Sequence, residues 1–530
     1  MDLQKSPPPS NASDDAMPAG IPFIVANEFA ERFCYYGINA ILTVYMTQVL
    51  RLGDADATTL HSLFKSGAYF FPLLGAVVSD AFWGKFRTIL TFSLVYACGC
   101  AILAFVPGKA GLLPGLFLVA FGTGGIKPCV STNVGDQFTS KNQHLIERAF
   151  SYFYLSINAG SSISIFFCPV LLKSHGPRVA FGMPAAMMFV AVLVFWFGRK
   201  KYAIVPPAGK AWLRDVLSRE GLKTMGSLAV IYLFVAFYWA LWDQSNGQTW
   251  TLQAESSLMD KNLGLGLTVL PAQIQVVNGL LILLMVPIFT FAIYPAMSKL
   301  FKLTPLRKIG IGLFTIAGSF LLVSRIESRI QHGEVVSAWW QILAYVVLTA
   351  SEVLVSITAL EFSYKQAPLR MKSFVMALFL LSTSVGNLMT AAVNHAMVRP
   401  LQAKSAEVGT ETWIELSDIR GLVPGQKIDF AGTTGLVVAK AGGTSQPLAG
   451  TYLVASTDET RKRVKLMDVV DRKTFASAGV FDAVNTKAVT YKLVGPQYFD
   501  FFAFLMAGVG LLFVFVAMFY REKTHLRDEP

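Results

Sequence analysis

Charge is scarce in this chain. Asp, Glu, Lys and Arg make up 15% of its 530 residues, against about 25% in a soluble globular protein. Beside a hydrophobic content of 54%, that shortfall excludes an ordinary soluble enzyme. Cysteine is rare and odd in number: Cys34, Cys98, Cys100, Cys129 and Cys168 all fall in apolar stretches, which argues against a disulfide framework or a thiolate metal site. The histidines (His61, His144, His175, His332, His395, His525) are scattered, so no metal cluster is visible. A signal peptide is missing. The opening MDLQKSPPPSNASDDAMPAG is polar and Pro-rich, without a basic segment ahead of a short apolar one, and reads as a disordered cytoplasmic tail. The net charge of +12 comes without any basic tract interleaved with aromatics, which excludes nucleic acid as a partner. In a membrane protein such a surplus reflects Lys- and Arg-rich cytoplasmic loops.

What the chain has in abundance is long apolar runs. Gly226–Trp242, Leu265–Tyr294, Ile309–Val323 with its flanks and Phe501–Tyr520 approach or exceed the ~18 residues that mark a membrane-spanning helix. Hydropathy predicts roughly twelve spans of about 20 residues or more, near 21–49, 58–82, 87–106, 111–132, 148–172, 179–198, 224–248, 265–297, 307–325, 336–362, 372–396 and 498–520. Basic loops (Lys85 and Arg87; Arg199 to Lys223; Lys299, Lys302, Arg307 and Lys308; Lys365, Arg370 and Lys372) share one side, and the positive-inside rule puts both termini in the cytoplasm.

The loops SDAFWGKFRT and SKLFKLTPLRK follow apolar runs six spans apart, a weak internal repeat. The expected fold is an all-α membrane protein of twelve helices in two six-helix bundles, the major facilitator arrangement. The division is a tail at 1–20, a first bundle at 21–198, a linker at 199–223, helices seven to eleven at 224–397, an insert at 398–496, the twelfth helix at 497–522 and a tail at 523–530. In the linker, AWLRDVLSREGL has the makings of an amphipathic surface helix. The insert carries short alternating runs (TWIEL, TYLVAS, RVKLMDVV, AVTYKLV) between turn residues and is expected to be β-rich and outside the membrane.

Each ionisable group at the centre of a spanning helix carries an insertion penalty of about 2.5–3.5 kcal/mol and is a functional candidate. Glu28, Glu31 and Arg32 lie at i, i+3 and i+4 on the first span, and Tyr35 and Asn39 continue the same face. Lys127 sits in GTGGIKP, whose glycines permit close helix approach; Asp243 and Glu352 stand on the seventh and tenth spans. Such charges can simply tie helices together. Four helices carrying them beside aromatics suggest instead a solute site with a proton relay between the bundles. Lys65 and Asp80, nearer span ends, read as loop or interface residues.

These residues carry a resemblance. EFAERFCYYG (28–37), GTGGIKPCVSTNVGDQF (122–138), FYLSINAGS (153–161), EVLVSITALEFSYKQAP (352–368) and YFFPLLGAVVSDAFWGKFRT (69–88) together resemble the proton-dependent oligopeptide transporter family across the membrane part. The resemblance implies proton coupling through Glu28 and Glu31 with Arg32 and Lys127. It implies a substrate pocket formed by Tyr35, Tyr36, Asn39, Tyr69, Lys127, Asn158, Asn278, Glu352 and Phe379, with Lys127 and Arg32 at the peptide carboxylate and Glu352 at its amino end. Asp243 is the implied gate residue. In relatives an arginine at the position of Asn39 pairs with that acid, so Asp243 is expected to lack its usual partner. Phe379 replaces a family tryptophan. His61 lies one residue from the register of a proton-handling histidine of animal relatives and is a further coupling candidate; the alternative is an interfacial histidine near a helix start.

The function these readings imply is proton-coupled import of di- and tripeptides, with no cofactor beyond the proton. The expected partners are small peptides and lipid, the working unit a monomer, and the location a bacterial inner membrane, since the outer-facing loops contain no N-x-S/T. The alternatives are a relative carrying nitrate or another small solute, and an enzyme or receptor built on the same frame.

Overall fold

The computed structural model describes residues 16–139, 142–207, 209, 218–264, 266–366, 372–432, 434–439 and 445–520. Most of the N-terminal tail, most of the expected surface helix in the linker and the C-terminal tail lie outside them. The first half is α1 (Ile21–Val44, continued by Tyr45–Val49), α2 (Asp54–Val77, continued by Val78–Trp83), α3 (Lys85–Phe105), α4 (Lys109–Asp136), α5 (Ile146–His175) and α6 (Pro177–Phe197). Turns between consecutive helices are short. Gly84, Gly108 and Gly176 cap α3, α4 and α6 with φ of 75°, 76° and 79°, a region that glycine enters without steric penalty.

The second half is α7 (Arg219–Ser245), a short helical turn (Thr249–Ala254), α8 (Val276–Ile288, carried on through Phe289–Ile293 and Tyr294–Leu300), α9 (Pro305–Gln331), α10 (Trp339–Glu352, carried on through Val353–Ile357 and Thr358–Gln366), α11 (Lys372–Met397) and α12 (Pro496–Phe519). Ser218 and Thr304 accept the Gly221 and Arg307 amides at the starts of α7 and α9, satisfying helix donors that have no partner within the helix.

Eleven of these helices are long and apolar enough to cross a membrane. The remaining long helix, α1, has 24 residues, but its stripe of acids, base and amides makes it more polar. Apolar side chains form two separate cores. One gathers Ile24, Phe33, Ile38, Phe92 and Phe181 from α1–α6; the other gathers Leu228, Leu313, Phe320, Leu348 and Phe502 from α7–α12. The halves meet chiefly where α2 packs on α11. Close approach inside the first half needs glycine. A Cβ on Gly75 of α2 would collide with the carbonyl oxygen of Gly124 and come 2.8 Å from Gly125 Cα on α4. That contact seats the segment bearing Lys127.

Between α11 and α12 the chain forms a β-rich insert. Its strands are β1 (Val398–Leu401), β2 (Ala403–Glu407), β3 (Trp413–Leu416), β4 (Lys427–Gly432), β5 (Leu436–Ala439), β6 (Ser445–Pro447), β7 (Gly450–Asp458), β8 (Arg463–Asp468), β9 (Ser477–Gly479) and β10 (Thr486–Tyr491). Seven of them make one antiparallel sheet in the order β1-β10-β4-β7-β8-β3-β2, and β9-β5-β6 make a second. Alternation puts Ile428, Phe430, Tyr452, Val454, Val464 and Leu466 into a core of the insert's own.

Asp429 on β4 is buried where the insert meets the start of α2, and the Tyr491 hydroxyl donates to it. Burial first, and the neighbouring Asp54 carboxylate next, push its pKa up to about 7. A carboxyl raised in this way destabilises the folded form increasingly as pH climbs from the ordinary aspartate range to that value, and by a constant amount above it. Asp429→Asn, which keeps the neutral shape, should therefore raise the melting temperature more at pH 8 than at pH 5 in paired thermal scans.

Candidate functional site

The polar stripe of α1 faces the interior of the first half. Arg32 Nε donates to Glu28 Oε1 at 2.6 Å and lies 3.2 Å from Glu31 Oε2. Glu31 Oε1 also accepts from Thr123 Oγ1 at 2.8 Å, which ties α1 to α4. Both carboxylates are fully buried, where an ionised group needs a partner. Lys127 is held differently. Its ammonium has no hydrogen-bond partner among the described residues. It rests 3.9 Å from the ring centre of Tyr35 and 4.1 Å from that of Tyr69, within the range of a cation–π attraction.

The opposing half presents an acid. Glu352 Oε2 accepts from Trp242 Nε1 at 3.1 Å and from Asn278 Nδ2 at 2.9 Å; Asn278 donates as well to Thr349 Oγ1. Tyr36 lies near enough to both Arg32 and Glu352 to interact electrostatically with them. Tyr36, Asn158, Trp242, Asn278 and Glu352 line a cavity of about 130 Å³ shared by the two halves. Asn158 Nδ2 is meanwhile bonded to the Tyr154 carbonyl of its own helix.

A second polar layer lies nearer the insert, and there several expectations change. Lys65, read from sequence as a loop or interface residue, is 1% exposed inside the protein. Its ammonium donates to Asp243 Oδ1 at 2.9 Å and to the Asn246 carbonyl at 2.9 Å. Asp243 is thus not without a partner: Lys65 reaches it from α2, and Asn387 Nδ2 on α11 donates to its other oxygen at 2.6 Å. Position 65 looked peripheral because α2 begins at Asp54, four residues before the span expected from hydropathy, so Lys65 falls three turns inside the helix.

Asn39, expected in the substrate pocket, instead donates to Asn246 Oδ1 at 2.8 Å, and His61 Nε2 meets Asn39 Oδ1 at 2.8 Å while His61 Nδ1 meets Thr43 Oγ1 at 2.7 Å. His61 is fully buried in this layer, not interfacial. Phe379 is also displaced from its expected role. It is 4% exposed and packs edge-on to Tyr232 and near Trp239 within the second core, and, like Tyr35, Tyr69 and Lys127, it does not line the cavity.

Other cross-half bonds complete the layer. Gln48 Nε2 donates to Glu255 Oε2, Ser62 Oγ to Gln248 Oε1, and Ser66 and Ser384 hydroxyls pair. Sequence reasoning missed Lys65, Asn246, Asn387 and Trp242. Lys65 and Asn387 could have been found as polar residues inside apolar helical runs; the partner of each could not. No group of His, Cys, Asp and Glu able to hold a metal ion occurs among the described residues.

The sequence profile of the POT family matches residues 86–219 and 210–414. The chain belongs to the POT family. Among relatives, Peptide transporter family 1 of Drosophila melanogaster is 38% identical over 361 residues, which cover 59% of this chain and 48% of that protein. Human Solute carrier family 15 member 2 is 37% identical over 376 residues, covering 62% and 51%. The chain spans about half the length of the curated relatives it matches.

Solved structures extend the likeness. The POT family transporter PepTSo superposes with a TM-score of 0.64 at 34% identity, over 72% of this chain and 90% of that one. An auto-inhibited POT family peptide transporter superposes with a TM-score of 0.70 at 27% identity, over 97% of this chain and 99% of that one. This POT chain is a multi-pass membrane protein with the two-bundle major facilitator fold, and its family is one of transporters, not enzymes.

Breaking a buried ion pair by removing one partner costs about 3–5 kcal/mol, whereas replacing the whole pair by apolar side chains is often near neutral. Lys65→Met should therefore destabilise the protein by roughly that amount, and Lys65→Met with Asp243→Leu should recover most of it. Denaturant unfolding of the purified variants measures both.

Proposed function

We propose that this protein is a proton-coupled symporter that imports di- and tripeptides by alternating access. One observation carries the reading: a cavity between the halves has the Glu352 carboxylate on one wall and Tyr36 on another, with Arg32 within electrostatic reach of Tyr36 and Lys127 resting on the adjoining Tyr35 ring. A zwitterionic peptide presents a cation at one end and an anion at the other, so a bipolar cavity orients it. Lys127, cushioned by two rings but without a hydrogen bond, is the group that gains most from a peptide carboxylate. Trp242 and Asn278 hold Glu352 where it can accept from the peptide amino group. Tyr36 and Asn158 can then contact the peptide backbone.

Coupling follows from the α1 cluster. While Glu28 and Glu31 are ionised they hold Arg32. Protonating Glu31 weakens that hold and releases Arg32 towards the carboxylate of an arriving peptide. Lys65, Asp243 and Asn387 close the layer between this site and the insert, so their separation opens the site on that side. His61, through Asn39, belongs to that closing layer and couples only by way of it.

The start of α3, which carries Lys85 and Arg87, lies at the end opposite the insert. By the positive-inside rule that end is cytoplasmic, with both termini, and the insert is outside. The reading places the protein in a bacterial inner membrane. The path lies wholly within one chain, so the working unit is a monomer, with protons as the coupling ion and no cofactor.

A relative carrying a simple anion has no use for a buried carboxylate at the solute site. Glu352 therefore separates the readings. A charge-assisted hydrogen bond contributes about 1.5–3 kcal/mol, and each 1.4 kcal/mol is about tenfold in affinity. Glu352→Gln should weaken dipeptide uptake into proteoliposomes by roughly ten- to a hundredfold. Glu31→Gln should remove the acceleration by an imposed acid-outside gradient. Wild-type vesicles that accumulate no peptide under that gradient, or that take up nitrate instead, would sink the reading.

A further inference from the structure

The insert leaves α11 at Val398 and returns to α12 at Pro496, so both of its attachments lie in the second half. Its first and last strands pair, with Tyr491 opposite Val398. Lys492 clamps that root through its amide on the Met397 carbonyl and its ammonium on the Ala396 carbonyl. The Ser257 amide, just after the Thr249–Ala254 turn, donates to the Val470 carbonyl. The insert is therefore a lobe rooted in the second half.

Its other face grips the first half. Lys427 Nζ donates to Asp54 Oδ2 at 2.5 Å, Thr451 Oγ1 donates to Asp54 Oδ1 at 3.0 Å, and the Asp54 amide donates to Thr451 Oγ1 at 2.9 Å. The Ala55 amide donates to the Tyr491 hydroxyl at 3.1 Å. These two amides belong to the first turn of α2, which has no helical partner for them. Arg51, in the turn between α1 and α2, donates to Gln446 and holds φ at 56°, a region that non-glycine residues enter at a steric penalty. The glycine position Gly450, with φ of 89°, lets β7 lie against that turn.

The lobe thus roofs a chamber of about 950 Å³, lined by both halves and the insert above the closed layer. In alternating access the outer ends of the halves must part. The α1–α2 turn cannot leave the second half while the lobe holds it.

We propose that the insert is a second outer gate, a strap rooted in the second half that fastens the α1–α2 turn of the first and must let go before the outer mouth opens. It rests on the transport reading for what the opening serves, but not for the fastening itself. Partly exposed pairs such as Lys427–Asp54 contribute little one by one, which suits a fastening that has to open and close repeatedly. The strap acts in series with the buried Lys65–Asp243 pair and shares no residue with it.

Two measurements on the full chain in proteoliposomes test the strap. The first needs no substrate. Ser384→Cys places a thiol within the closed layer, where Ser384 now pairs with Ser66. Adding Asp54→Ala should speed its labelling by an impermeant maleimide from the insert side several-fold, counted against a parent with Ser384 intact. An unchanged rate overturns the proposal.

The second fastens the strap covalently. A Cβ on Gly53 would lie 2.8 Å from Asp429 Cβ; replacing Asp429 by Cys removes the nearer carboxylate contacts, and a separation of the two backbones by about 1 Å reaches the ~3.5–4.5 Å of a disulfide. In Gly53→Cys/Asp429→Cys, oxidation should stop dipeptide uptake and reductant should restore it in the same vesicles, which controls for folding. Full-rate uptake with the disulfide formed overturns the strap. Absence of uptake by the wild-type chain sinks the peptide reading alone, because the labelling arm still reports on the fastening.

Discussion

Nothing in a lipid-facing interior solvates an isolated charge, so a buried ionisable group there needs a partner or a polar chamber. The Lys65–Asp243 contact shows what that demand achieves. It joins the second helix of one half to the first helix of the other at 2.9 Å, with Asn387 saturating the remaining carboxylate oxygen. Both side chains are almost wholly out of water. Because each is intolerable alone, the two halves are drawn together at that level. Asn39, His61 and Ser62 then find neutral partners across the same boundary or beside it, and Gln48 donates to the Glu255 carboxylate. The closed layer is thus a consequence of one pair and the polar groups it brings into register.

The central site follows the opposite logic. Arg32 is held by two carboxylates, but Lys127 has only the faces of Tyr35 and Tyr69. A cation held by rings alone has spare donor capacity, and Glu352 in the other half, with a tryptophan and an asparagine as its neutral partners, has spare charge. The fold keeps these opposite charges apart on separate halves. A solute carrying both charges is what would join them.

The insert extends this division of labour beyond the hydrocarbon. It has its own sheet and core, so its shape does not depend on the bundles. It meets them through hydrogen bonds to helix-start amides and one ion pair, contacts available to water and reversible on the timescale of domain motion. The inner layer, dry and ionic, and the outer strap, wet and hydrogen-bonded, are thus chemically different closures on one route.

The sequence by itself determined that this is a membrane protein, that polar residues on α1, α4, α7 and α10 face inward, and that the stretch after the eleventh span is β-rich. These properties are local. Hydropathy, helical spacing and strand alternation are read over one or two turns, and the first-helix motif needs no neighbour to be recognised. Pairing is not local, and only the tertiary structure decided it. Lys65 and Asp243 lie 178 residues apart, and Lys427 and Asp54 lie 373 apart, separations at which no periodicity carries information. For the same reason Phe379 and Asn39 left the pocket to which their motif positions assigned them: a helix face fixes what a residue points toward, but the packing of the other helices fixes what is there.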